Sequence, residues 1–142
     1  FNLKEKKMAF QLSVDVRNAS LNAIETEVGA SPILTINSGT VPVDCATANT
    51  GTVLATVVLP ADWFNDAGAG SVTLAGTWQD LSADASGTAG YFRMHDSTGT
   101  TCHMQGTITA TGAGGDMQLD NTNIALGQQI NITAFTITAG GA

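Results

Sequence analysis

From Ser71 onward the chain runs in short stretches of alternating apolar and polar residues, cut by glycine-containing turns. The stretches are VTLAGTWQDL (72–81), GYFRMHD (90–96), TTCHMQGTITATG (100–112), DMQLDN (116–121) and QQINITAFTITA (128–139). Between them lie ADASGTA, STG, GAGG and TNIALG. A period of two sends alternate side chains to opposite faces, which is the pattern of half-buried strands, while Gly, Asn, Asp and Ser supply the turns. The DSTG sequence at 96–99 predicts a hairpin between 91–96 and 100–110, and 112–115 is expected to turn the next pair.

Upstream, PILTINSG (32–39) and GTVLATVVLP (51–60) read as two strands around the loop TVPVDCATANT, and Pro60 ends the second. One segment has helical spacing instead. Val14, Leu21, Ile24 and Val28 recur on one side of residues 13–28, Ser13 suits the N-cap, and Gly29 and Pro32 end the helix. Glu25 and Glu27 fall at the unfavourable end of its dipole. The pattern predicts an all-β fold, an antiparallel β-sandwich or jelly roll with one short N-terminal helix; a small closed barrel is the alternative. The expected divisions are a leader or flexible arm at 1–7, an N-terminal helical arm at 8–31 and a β-sandwich domain at 32–142.

Charge narrows the partners. Lys, Arg, Asp and Glu make up only 12% of the 142 residues, about half the usual share. The net charge is −7, and three of the five basic residues lie in the first seven positions. The remainder keeps two basic against eleven acidic residues, a net of −9. Such a body repels nucleic acid and anionic membranes. The longest apolar run, VLATVVLP, is too short to span a bilayer, and no signal-peptide core follows the N-terminal lysines. The first seven residues also have a codon-level reading. Lys4-Glu5 can be encoded by a ribosome-binding sequence ahead of a start at Met8, so 1–7 is expected to be a translated leader, a scar or an arm.

Reactive side chains are sparse. His95, Asp96, Cys102 and His103 cluster around the expected hairpin, with His95 opposite Cys102. This is half of a zinc site or a cross-strand polar pair. Cys45 and Cys102 are the only cysteines, open either to a disulfide or to free buried thiols. There is no GxSxG, HExxH or phosphate loop, so no catalytic residues, metal or cofactors are assigned and no enzyme is expected. Asp116 and Asp120 read as turn formers, and Asn18 and Asn131 match the glycosylation pattern. Trp63 and Phe64, in a loop, are the candidate interface residues, with core packing as the competing role. Trp63 or Trp78 can alternatively serve as a sugar platform.

From Met8 to the end, the chain resembles small structural proteins encoded by tailed bacteriophages. The stretch GTAGYFRMHDSTGTTCHMQG carries the resemblance most specifically, alongside AFQLSVDVRNASLNAIETEVG and ILTINSGTVPVDCATANTGTVLATVVLPADWF. The resemblance implies a location in the virion, on the capsid surface after assembly in the bacterial cytoplasm, and no catalytic residues. It implies a capsid cement or decoration protein whose partners are the major capsid protein and itself, as a dimer or trimer. The alternatives are a neck, tail or fibre-attachment component, or a virion-surface carbohydrate-binding module.

Overall fold

A computed structural model describes residues 10–142; the expected leader at 1–7 and the start at Met8 lie outside the described residues. Helix α1 (Val14–Val28) begins where the Ser13 side chain accepts the Val16 N–H at 3.2 Å. It ends where the Gly29 N–H reaches the Glu25 carbonyl at 2.9 Å, with Gly29 at φ 88°. Ten strands follow: β1 (Ile33–Ser38), β2 (Val53–Val58), β3 (Ser71–Thr73), β4 (Trp78–Asp80), β5 (Gly87–His95), β6 (Cys102–Ala110), β7 (Met117–Leu119), β8 (Asn123–Ile124), β9 (Ile130–Ile132) and β10 (Thr136–Thr138). The protein is therefore mostly β with one helix.

Six strands form one sheet in the order β2-β1-β5-β6-β7, with β8 pairing the start of β5. Leu34 pairs with Val57 and Met94, Ile36 with Ala55 and Phe92, and Met94 with Met104. These partners share one face, and it is the apolar one. The expected hairpin is present in the expected register, with His95 opposite Cys102.

Two features depart from the expected strand plan. First, β6 and β7 are parallel, pairing Ile108 with Met117, although only a short loop joins them. Parallel neighbours ordinarily need a long crossover. Here Gly112 and Gly114 both take φ 86°, and Asp116 anchors the return by accepting from the Thr107 N–H (2.9 Å) and hydroxyl (3.0 Å). Second, 72–81 and 128–139 are not two unbroken strands. β3 pairs with β10 and β4 with β9, the two ladders being one residue out of step. The break comes at Gly76, whose φ is +70° and where an added Cβ would press on Pro60. The TNIALG segment, expected as a turn, contributes β8.

The core joins this broken ribbon to the sheet. Phe64, Trp78 and Phe135 lie with ring centroids 5.8–6.2 Å apart, and Phe135 meets Phe92 of the sheet edge-on at 5.5 Å. Trp63 completes the cluster at 4.1 Å from Phe64. Such offset and edge-on pairs add modestly to the burial of large apolar surfaces.

Candidate functional site

Trp63 and Phe64, the candidate interface residues, are 0% and 1% exposed, so the exposed-anchor expectation is corrected to core packing. The reason is visible in the helix. Glu25 Oε1 accepts the backbone N–H of Trp63 at 2.9 Å and of Phe64 at 3.3 Å, and the Trp63 indole donates to the Gly29 carbonyl at 3.0 Å. Asn22 accepts the Ala67 N–H and Asn18 the Gly70 N–H, both at 2.8 Å. Asn18, Asn22 and Glu25 recur at helical spacing, so one polar stripe of α1 receives amides of the 61–70 loop, whose Phe64 and Gly68 also bridge to Leu74 and Ser71. The loop's aromatics are thereby turned inward. Trp78 is also buried, which removes both tryptophans from a sugar platform. The Asn18 amide oxygen is committed to this docking, whereas Asn131 is exposed on β9.

The concentration of polar chemistry lies on the second face of the sheet. Thr35, Asn37, Tyr91, Arg93 and Gln105 share it, since Asn37 pairs with Tyr91, Thr35 with Arg93, and Arg93 with Gln105. Asn37 and Arg93 are nevertheless buried, at 0% and 4% exposed. The cover is the segment 40–51. Arg93 Nη1 donates to the Thr47 carbonyl (2.8 Å), Nη2 to the Cys45 carbonyl (2.6 Å), and Nε to Cys102 Sγ (3.2 Å). Gln105 donates to the Pro42 carbonyl at 2.7 Å. Asn49 donates to Asn37 Oδ1 at 3.1 Å and accepts from the Tyr91 hydroxyl, which itself accepts the Gly51 N–H at 3.2 Å. Within the cover, Asp44 closes a turn by accepting from the Thr47 N–H and hydroxyl, both at 2.8 Å, and these bonds hold its carboxyl below the usual range.

The reactive residues sort onto the rim of this network. Cys102 lies beside Arg93, and Cys45 and Cys102 are both free and half-buried. Burial and a hydrogen bond with Cys102 push the Cys45 thiol up to about 11. His95 Nδ1 is buried without a partner, and burial lowers the imidazole's affinity for a proton. Asp96 is absorbed by its turn, accepting from Thr98 (2.8 Å) and from the Thr100 N–H (3.0 Å), and these bonds bring it down to about 2. Among the described residues, no three His, Cys, Asp or Glu side chains converge as metal ligands. Asp116 is bonded to Thr107, as above, and Asp120 lines a shallow polar cleft with Asn121, Gln128 and Asn131.

Sequence reasoning singled out the cysteines and histidines but missed Arg93, Asn37, Asn49 and Tyr91. One signal was available: an arginine inside an otherwise apolar strand, in a chain with only five basic residues. Large apolar side chains do remain in water elsewhere, at Phe10 (70%), Val14, Val16, Val43, Val58, Leu81 and Leu126. No helix among the described residues is long and apolar enough to cross a membrane. No protein-family model, curated protein or solved structure matches the chain.

Proposed function

We propose that the chain is a virion structural protein of tailed bacteriophages, a capsid cement or decoration protein that binds the major capsid protein and a second copy of itself. In this reading it works without catalysis or a cofactor, on the outer capsid surface, as a dimer or trimer. The six-stranded sheet and the broken ribbon are taken as the two layers of a sandwich of the jelly-roll kind.

The observation that carries the reading is the disposition of unused chemistry. Carboxylates and amides such as Glu25, Asn18, Asn22, Asp96 and Asp116 bond the protein's own backbone. Beside exposed carboxylates such as Asp15, Asp62 and Asp66, the surface offers apolar groups to a partner: Phe10, Val14 and Val16 are exposed around the start of α1. With a net charge of −7, the partner is a protein surface rather than nucleic acid. Many modest contacts of this kind, repeated over a lattice, reinforce a shell by multivalency.

Quantitative mass spectrometry of purified virions tests the reading. A copy number in simple ratio to the major capsid protein supports it. A handful of copies per particle moves the chain to the neck, tail or a fibre attachment, and absence from the virion overturns the proposal.

A further inference from the structure

We infer that Cys45 and Cys102 are an oxidisable pair, and that an intramolecular disulfide between them locks the 40–51 cover onto the sheet. The geometry rests on one side chain. The Arg93 guanidinium is planar and rigid, and it binds the Cys45 carbonyl at 2.6 Å and the Cys102 sulfur at 3.2 Å. The two residues are far apart in sequence, so only the fold brings them to the same cation. They are the protein's only cysteines, and both are half-buried and free. The guanidinium that meets Cys102 Sγ also binds the Cys45 backbone, so the span of one side chain separates the two residues. Cys102 is fixed on the sheet, opposite His95 in the β5–β6 ladder, while Cys45 belongs to the cover. A bond between them joins a strand to its lid.

The oxidant is a small-molecule disulfide of the glutathione class. The Cys102 thiolate attacks one sulfur of the glutathione disulfide, forming a mixed disulfide and releasing one glutathione thiolate. Cys45, the thiol that burial keeps protonated, gives up its proton to that base and attacks Cys102 Sγ. The second glutathione leaves as thiolate. The protein loses two hydrogens and two electrons, and one glutathione disulfide becomes two glutathione thiols. Negative charge arising on Cys102 Sγ falls beside the buried Arg93 cation. The inference needs only this geometry and does not depend on the virion reading.

The test is to incubate the reduced full-length protein with oxidised glutathione under native conditions, quench in acid and map the peptides. The expected product is monomeric, lighter by two hydrogens and free of glutathione, with the Cys45 and Cys102 peptides cross-linked. Amide exchange in 43–49 is expected to slow at least about tenfold in that product, with β1 and β5 little changed, because the lid can no longer open without breaking a covalent bond. In Cys45→Ser, glutathione is expected to remain on Cys102, whereas in Cys102→Ser the protonated Cys45 is expected to react far more slowly. Persistent glutathione on the wild type, disulfide-linked dimers, or thiols that react only after unfolding in urea each overturn the inference. Unchanged exchange in 43–49 overturns the lock.

Discussion

Arg93 hands its guanidinium to two carbonyls and a sulfur, and this explains how an arginine survives inside an apolar strand. Removing it leaves the Cys45 and Thr47 carbonyls without donors at a covered face. Arg93→Met is therefore expected to destabilise the protein by about 2–4 kcal/mol, at roughly 1–3 kcal/mol per unsatisfied buried group. Arg93→Lys is expected to fall between, because an ammonium cannot reproduce the fork. Urea unfolding checks the order, and equal stability for Met and wild type would show that the cover does not depend on Arg93. His95, two residues on, makes the fold sensitive to pH. Burial holds it below its ordinary value of 6.5, so the folded state prefers the neutral ring. As pH falls through 6.5 the unfolded chain takes up the proton first, and stability drops until the lower folded value is reached. Asp96 acts in a different window. Its contribution is present above 3.8 and is lost as pH falls toward about 2. The urea midpoint is expected to fall between pH 7.5 and 5.5 in the wild type and to fall less in His95→Gln; identical slopes would sink this assignment.

Elements show why some of the fold was legible and some was not. Helix α1, β1, β2 and the β5–β6 hairpin are written locally: Ser13 and Gly29 cap the helix, alternation marks the strands, and DSTG sets the turn. Glu25 is the instructive exception. Against the dipole it looks misplaced, yet it holds the amides of Trp63 and Phe64, and no rule about helix ends reports a partner so distant in sequence. The same applies to the parallel β6–β7 pair, which depends on Asp116 reaching back to Thr107, and to the cover, which depends on Arg93. Of the two roles the sequence leaves open for Trp63 and Phe64, interface anchor and core packing, the structure shows core packing, because the helix stripe closes over their loop. Glu25→Ala is accordingly expected to cost about 2–4 kcal/mol by stranding two amides, and Glu25→Gln less, since an amide oxygen still accepts. Thermal unfolding of the two variants measures this; equal losses would mean that the charge, not the acceptor, secures the helix. In the sheet, Gly90 allows the Gly39 carbonyl to cross directly over its Cα, so a Cβ there would overlap that oxygen.

At the scale of the molecule, two features point the same way. The protein is acidic, with a net charge of −7, and Glu25, Asn18 and Arg93 are spent on internal docking of helix, loop and lid. On the proposed capsid reading, the exposed apolar groups are those whose burial would drive the contact. Phe10 and Val14 are 70% and 43% exposed beside the helix start, where burial by a partner gains more than any other change open to them. Burying a fully exposed large apolar side chain is worth about 1.5–3 kcal/mol, so losing these two partly exposed ones at an interface weakens each contact by at least about tenfold. On the proposed capsid reading, the double variant Phe10→Ser, Val14→Ser is expected to lower the melting temperature little, because Phe10 faces water and Val14 is partly exposed, while occupancy on undecorated capsids falls. Leu126→Ser, a comparably exposed residue in a different element, provides the control. Full occupancy by the double variant would place the contact elsewhere on the protein. A parallel fall in melting temperature would show instead that this end serves the fold, and the argument from exposed apolar surface to capsid partner would lose its premise.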